Sequence, residues 1–218
     1  MSTNTTILIC LVYIVYLVNS RDYEYEKGNI VHIEAFGEAR CSDTSFWLKW
    51  HFWPMWNQFG PSGRVNLTYH PFGIKTSCQD TDNGDIKCDC HHGDKECILN
   101  QLQNCVIEAL PKMEDHIEYL VCIQGKKNIS EAAHECFNST TLDRTSMVNC
   151  AESAHGRELF SKHEDFVAQM APDMDWVPWI FVEGKRYKEA EEDLWQFLCD
   201  RFLEPRPRLC PKRIQYFA

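Results

Sequence analysis

The sequence lacks an amino-terminal apolar run long enough to span a membrane, and its first 20 residues lack any charged side chain. The apolar run from Ile7 to Val18 covers 12 residues, whereas a membrane-spanning helix needs about 20. A run of this length that ends at Asn19 and Ser20 is typical of a secretory signal peptide. We therefore expect a signal peptide over residues 1–20, cleaved after Ser20, with a signal anchor as the alternative.

The chain also lacks internal repeats, low-complexity segments and an excess of basic residues. Its 22 lysines and arginines are outnumbered by 32 aspartates and glutamates, which gives a net charge of -10. This balance argues against nucleic acid or an anionic membrane surface as a partner. A length of 218 residues, 44% of them hydrophobic, suits one globular domain over residues 21–218 with an insertion at about 74–150.

Cysteine, in contrast, is abundant. The chain has 12 cysteines, and loss of Cys10 with the signal peptide would leave an odd number. If Cys41 is the unpaired one, the other ten can form five disulfides in an oxidising compartment, in a connectivity that the sequence leaves open. These ten are Cys78, Cys88, Cys90, Cys97, Cys105, Cys122, Cys136, Cys150, Cys199 and Cys210. Three N-glycosylation sequons, at Asn66, Asn128 and Asn138, agree with passage through the secretory pathway.

Cys41 stands between a predicted strand and a predicted helix. Residues 31–36 alternate between apolar and polar side chains, and an aromatic-rich helical run follows the cysteine. A thiol at the first turn of a helix is favoured as the nucleophilic thiolate. Disulfide oxidoreductases usually have Cys-x-x-Cys at this place, whereas this chain reads Cys41-Ser42-Asp43-Thr44. A hydroxyl group therefore replaces the second sulfur.

The elements around Cys41 predict an α/β fold. A helix runs from Cys41 to about Phe59 with a kink at Pro54, and we expect its aromatic stripe to pack in the core rather than stack on a ligand. The alternating run from Val65 to Tyr69 predicts a strand parallel to the first, in a βαβ unit. The thiol would then lie at the carboxyl end of a strand, where sites of α/β proteins are usually found.

The strand pattern disappears after this unit and returns near the end of the chain. Residues 76–90 read as a loop, and helices are predicted for residues 97–110, 113–124, 130–137, 141–151 and 152–171. A hairpin around Glu183-Gly184 and a helix over about 189–203 follow. A βαβ unit, a disulfide-rich helical insertion and a ββα unit together describe a thioredoxin-like fold. Pro178 has the chain position of the cis-proline that faces the thiol in that fold, with an ordinary strand-edge proline as the alternative.

The insertion also carries a family signature. Residues 90–105, CHHGDKECILNQLQNC, match the pattern C-Q-H-G-x-x-E-C-x-x-N-x-x-x-x-C at every defined position but one, where His91 replaces Gln. With this segment, the strand before Cys41, the sequon at Asn66 and the stretch 177–185, the chain resembles the gamma-interferon-inducible lysosomal thiol reductase family.

The resemblance implies a thioredoxin-like fold with a disulfide-bonded helical insertion, and reduction of substrate disulfides in acidic endocytic compartments. Of the family's Cys-x-x-Cys site, only the first cysteine carries over, onto Cys41, while Thr44 stands at the second position. Cys78 and Cys88 look additional to the family pattern and suggest one extra disulfide.

A metal site is an alternative interpretation of the same region, because its cysteines and histidines include soft ligands. The candidates are Cys88, Cys90, His91, His92 and Cys97. Their spacing is not a familiar zinc pattern, and a secretory compartment favours disulfides. We therefore expect no metal ion and no bound cofactor.

These observations predict a thiol–disulfide oxidoreductase that uses Cys41 as its nucleophile, with Thr44 and Pro178 as the other site residues. Arg40 would favour the thiolate and Asp43 would oppose it. Thr44 cannot resolve a mixed disulfide, so an external thiol such as glutathione or cysteine is expected to do so.

The expected partners are disulfide-containing proteins, with no nucleic acid and no membrane after signal cleavage, in lysosomes or outside the cell. The alternative is a catalytically silent secreted glycoprotein that acts as a binding module or forms a dimer through Cys41. The chain would thus be a monomer or a disulfide-linked dimer.

Overall fold

The computed structural model describes residues 26–138 and 141–212, so the predicted signal peptide at 1–20 lies outside the described residues. A four-stranded sheet forms the centre, and its strands lie in the order Val65–His70, Val31–Phe36, Trp179–Val182, Lys185–Arg186. Strand β1 (Val31–Phe36) pairs in parallel with β2 (Val65–His70), with Val31 opposite Val65. The parallel pair predicted from the alternating sequence is confirmed.

The helical segment between these strands changes its hydrogen bonding along its length. An α-helix, α1 (Ser42–Phe46), continues as a π-helical stretch (Trp47–Phe52) and then as α2 (Trp53–Phe59). The N–H of Trp53 bonds to the carbonyl of Leu48, five residues earlier. Pro54 has no N–H and its ring crowds the preceding turn, which accounts for the wider turns just before it.

The aromatic stripe of this segment is only partly buried. Trp47 and Phe52 lie in the core, as predicted, but Phe46 and Trp50 are 57% and 69% exposed. The prediction of a core stripe therefore holds for one face of the helix and fails for the other.

The loop predicted over residues 76–90 is wrong, because these residues form a second, two-stranded sheet. Strands β3 (Ser77–Asp80) and β4 (Ile86–Asp89) pair antiparallel, and Cys78 lies opposite Cys88 and is bonded to it. The backbone N–H of Cys78 also donates to Glu164 at 2.9 Å. Strands of four residues with little buried surface show no clear alternation in the sequence. A hairpin this short is not stable alone, so it depends on the Cys78–Cys88 disulfide and on the contact with Glu164.

Five helices complete the insertion and lead back to the sheet: α3 (Asp94–Ala109), α4 (Met113–Ile123), α5 (Ile129–Cys136), α6 (Arg144–Glu152) and α7 (Ala154–Met170). Each lies within a few residues of its prediction. Helix α6 begins later than the predicted residue 141, because the side chain of Asp143 accepts the N–H of Ser146 and caps the helix there.

The remaining elements form the ββα unit. Strand β5 (Trp179–Val182) pairs antiparallel with β1 and with β6 (Lys185–Arg186), across the predicted turn at Glu183-Gly184. The single helix predicted over 189–203 is wrong: α8 (Glu189–Glu192) and α9 (Leu194–Arg201) are separated at Asp193, which is extended and caps α9. This order of elements is the thioredoxin-like fold. Among the described residues, no helix is long and apolar enough to cross a membrane.

Candidate active site

Cys41 lies at the end of a short loop that joins β1 to α1. Its N–H bonds to the carbonyl of Glu38 at 3.2 Å, and its own carbonyl accepts the N–H of Ser45 at 3.0 Å. The residue is 8% exposed, and its sulfur lies 3.7 Å from the carbonyl oxygen of Val177. The thiol is thus nearly buried, at the start of the helix, beside the residue that precedes Pro178.

The other cysteines of the described chain are all paired. The disulfides are Cys78–Cys88, Cys90–Cys97, Cys105–Cys150, Cys122–Cys136 and Cys199–Cys210, and Cys41 is the free thiol among the described residues. The metal interpretation that relied on Cys88, Cys90 and Cys97 is therefore wrong, because an oxidised cysteine offers no thiolate ligand.

Pro178 follows Val177, whose carbonyl faces the thiol, and the Val177–Pro178 peptide bond is cis. Its neighbours in the chain are aromatic: Trp176 is 48% exposed, and the ring of Trp179 stacks on the guanidinium of Arg186 at 4.0 Å. These residues line a cavity of about 290 Å³. Glu191 lines the same cavity and pairs with Arg186, so this surface combines apolar rings with an ion pair.

Thr44 occupies a fully buried position one helical turn after Cys41. Its hydroxyl accepts the N–H of Glu38 at 3.5 Å, so it faces the active-site loop rather than solvent. A side chain at Gly37 would lie 2.5 Å from the methyl group of Thr44 and 2.5 Å from the hydroxyl of Tyr69. The loop therefore passes closely over both residues.

The loop is held by polar side chains of the insertion. The N–H of Ala39 donates to the Asn100 side chain at 2.8 Å, and the carbonyl of Ala39 accepts the N–H of Gly125 at 2.7 Å. The amide of Gln124 donates to the carbonyl of Glu38 at 2.7 Å. Sequence reasoning missed these roles, and the only signal for them was the place of Asn100 in the signature.

Glu38 is the centre of a buried polar cluster that the sequence did not predict. Its side chain is fully buried, and Oε2 lies 3.4 Å from Nδ1 of His91 and 3.4 Å from Nδ1 of His92. His92 Nδ1 also lies 2.5 Å from Glu96, whose side chain accepts the N–H of His92 at 3.0 Å. Burial, and next the charge of Glu96, raise the pKa of Glu38 to about 8.

Tyr69 lies on β2, with its hydroxyl close to Gly37 of the loop before Cys41. It is 4% exposed, and its hydroxyl has no hydrogen-bond partner among the described residues. Burial raises the pKa of Tyr69 well above its usual range, and electrostatic interactions with neighbouring acidic groups add to the shift. The phenol therefore stays neutral beside the thiol.

The predicted glycosylation sites differ in their surroundings. Asn66 on β2 and Asn138 are exposed. Asn128 is half-buried, and its side-chain oxygen accepts the N–H of Glu131 as the cap of α5. Each side chain reaches the surface at least in part.

Comparison with known proteins agrees with this geometry. Residues 32–140 match the family model described as gamma interferon inducible lysosomal thiol reductase. The chain is 63% identical over 206 residues to a GILT-like protein of Caenorhabditis briggsae, covering 94% of each chain. It is 23% identical over 196 residues to the gamma-interferon-inducible lysosomal thiol reductase of Mus musculus, covering 85% of this chain and 76% of the mouse protein.

The fold agrees as well. A crystal structure of Chlamydia trachomatis DsbA superposes with a TM-score of 0.55 at 18% identity, covering 73% of this chain and 77% of that chain. The match to the family model and the 63% identity over almost the full length lead to one conclusion: the chain belongs to the gamma-interferon-inducible lysosomal thiol reductase family.

Proposed function

We propose that this chain catalyses thiol–disulfide exchange with Cys41 as the only sulfur of its active site. The observation that carries the proposal is the place of this free thiol, at the start of α1 and 3.7 Å from the Val177 carbonyl, with the hydroxyl of Thr44 one turn away. Family membership supports a thiol oxidoreductase in general. The single-thiol mechanism follows from Thr44.

The reaction has three exchange steps. The Cys41 thiolate attacks one sulfur of a substrate disulfide, which forms a Cys41–substrate disulfide and releases the other substrate sulfur as a thiolate. A glutathione thiolate then attacks the substrate sulfur of that mixed disulfide and regenerates Cys41. A second glutathione reduces the substrate–glutathione disulfide, so that two glutathiones are oxidised to one glutathione disulfide for each substrate disulfide reduced.

The surface beside the thiol supports a protein substrate. The carbonyl of Val177 faces the sulfur, and the rings of Trp176 and Trp179 lie on either side of the Val177–Pro178 peptide in the chain. Apolar rings bind the side chains that flank a disulfide. We place the reaction in lysosomes or outside the cell, in line with the lysosomal relatives.

The test measures reduction of a disulfide-containing protein by glutathione near pH 5. Wild type is compared with Cys41→Ser, with Thr44→Cys and with Thr44→Ser, which keeps the hydroxyl. We expect no turnover by Cys41→Ser above the uncatalysed rate. Thr44→Cys should raise turnover by about tenfold and weaken its dependence on glutathione, because an internal thiol then resolves the mixed disulfide. Thr44→Ser should resemble wild type.

A binding role without chemistry is the second candidate, and exposed aromatic side chains favour it. Phe46, Trp50 and Trp176 are 57%, 69% and 48% exposed, which is unusual for rings of this size. A dimer through Cys41 is less compatible with a sulfur that is nearly buried. Equal turnover by wild type and Cys41→Ser would decide for binding and against the exchange reaction.

A further inference from the structure

The carboxylate of Glu38 is buried without a hydrogen-bond partner. Its side chain is fully buried, neither oxygen has a hydrogen bond of good geometry among the described residues, and the polar group nearest to donating one is the backbone N–H of Ile74. Oε1 lies against Gly73, where an added Cβ would be 2.2 Å away, while Oε2 faces His91 and His92. Burial of an unpaired polar group is costly. We therefore expect a further ligand or ion to pair with this carboxylate.

The distances within the cluster match those between the ligands of a metal ion. Oε2 of Glu38 lies 3.4 Å from Nδ1 of each imidazole, although neither contact is a hydrogen bond. In a tetrahedral zinc site with bonds of about 2.1 Å, neighbouring ligand atoms lie about 3.4 Å apart. The three ligand atoms are all within 4.8 Å of one another.

We propose that Glu38, His91 and His92 form a binding site for a divalent transition-metal cation of the Zn²⁺ class. One carboxylate and two imidazoles are a ligand set that suits zinc and its neighbours and disfavours Mg²⁺ and Ca²⁺, which prefer oxygen ligands. The histidine side chains are 31% and 37% exposed, so the ion can enter from solvent and keep a water as its fourth ligand.

Glu96 is fully buried and contacts His92 of this site. Its carboxylate is 2.5 Å from Nδ1 of His92, so a cation must compete with that hydrogen bond. The other contact of Glu96, to the backbone N–H of His92 at 3.0 Å, holds His92 in place. Glu96 and Glu38 repel each other when both are ionised, and a bound positive ion would offset this repulsion in addition to Lys75.

A second group with metal-ligand geometry carries no such inference. Glu108, Cys150 and His155 have ligand atoms within 4.8 Å of one another, but the sulfur of Cys150 is already in a disulfide. The Glu38 site has no oxidised member. It lies beside Cys41, whose N–H bonds to the carbonyl of Glu38 at 3.2 Å, but it does not depend on the exchange reaction.

The test uses Co²⁺ and Zn²⁺ on the full disulfide-bonded protein, in a Cys41→Ser background so that the thiol cannot bind the ion. Co²⁺ gives a visible ligand-field spectrum in a tetrahedral site, and Zn²⁺ displaces it. The variants are His91→Gln and Glu38→Gln, and the matched control is His134→Gln, which removes an exposed imidazole of α5. Circular dichroism and thermal melting check that each variant is folded.

We expect one Co²⁺ per chain at micromolar concentration, displaced by Zn²⁺. Binding should weaken at least about tenfold in His91→Gln and in Glu38→Gln and stay unchanged in His134→Gln. If Glu38→Gln does not fold, the comparison of His91→Gln with His134→Gln still decides. No binding below millimolar concentration, or equal weakening in His91→Gln and the control, would overturn the proposal.

Discussion

His163 on α7 is expected to make the fold less stable as the pH falls. Its Nε2 lies 2.7 Å from the side-chain oxygen of Asn104, and its Nδ1 lies 3.3 Å from Nδ1 of His70. His70 in turn bonds to Glu34 at 2.9 Å. If Nε2 donates to Asn104, a second proton on His163 has to lie on its Nδ1, which is buried and faces His70.

The energy follows from the two pKa values. Burial, and next the neighbouring His70, lower the pKa of His163 from 6.5 to about 4. A histidine with a lowered folded-state pKa stabilises the fold fully above its unfolded pKa, and this stability is lost as the pH falls towards the folded pKa. Between about pH 7.5 and pH 4.5, the loss is roughly 2 to 3 kcal/mol in the free energy of unfolding.

The assay is denaturant unfolding of wild type and His163→Gln over this pH range, with His134→Gln as a control that removes an exposed imidazole. The stability advantage of wild type over His163→Gln should shrink by about 2 kcal/mol from neutral to acid pH. That of wild type over His134→Gln should change little. A constant advantage over His163→Gln across the range, or an imidazole of His163 that titrates above pH 6 by NMR, would refute the reasoning.

Three further predictions concern the thiol, the loop and the disulfides. Titration with a thiol-specific reagent should find one thiol per chain after unfolding and none in Cys41→Ser. The folded protein should react with the reagent more slowly than the unfolded protein, because Cys41 is 8% exposed. Asn100→Ala should lower the free energy of unfolding by about 1 to 3 kcal/mol, because it leaves the buried N–H of Ala39 unpaired. Gln169→Ala, on the surface of α7, should lower it little. Equal losses in the two variants, measured by denaturant unfolding, would contradict the role of Asn100 in holding the loop. Both cysteines of the Cys122–Cys136 disulfide are partly exposed, so glutathione should reduce this disulfide first. Alkylation of the released thiols, mapped by mass spectrometry, measures the order of reduction. Earlier loss of another disulfide would show that solvent access does not set this order.

The sheet and the place of the thiol could be predicted from the sequence because each depends on a local pattern. The alternation of β1 and β2 gives a parallel pair, and Glu183-Gly184 gives a turn between two apolar runs. The hairpin at β3 and β4 was missed, although its Asn83-Gly84 pair is a turn signal, because four-residue strands with little buried surface have no readable alternation.

The polar cluster around Glu38 could not be predicted in this way. Glu38 follows a strand, while His91 and His92 belong to the insertion, and only the folded chain brings them within 3.4 Å. A glutamate in a loop gives no sign in the sequence that its side chain will be fully buried. The break at Asp193 is similar, since a helix pattern continues through it and the cap appears only in the structure.

The insertion holds the thiol loop as well as covering the sheet. The hydrogen bonds that hold the backbone of residues 38 and 39 come from α3 and from the end of α4, and the signature histidine His92 contacts the same loop through Arg40 at 3.2 Å. The disulfide Cys90–Cys97 fixes the start of α3, and Cys122–Cys136 fixes the end of α4. Since small helical units need cross-links to stay folded, these disulfides support the hydrogen bonds that hold the loop before Cys41. A reductant that opens Cys90–Cys97 and Cys122–Cys136 should therefore impair thiol–disulfide exchange at Cys41 before the central sheet unfolds.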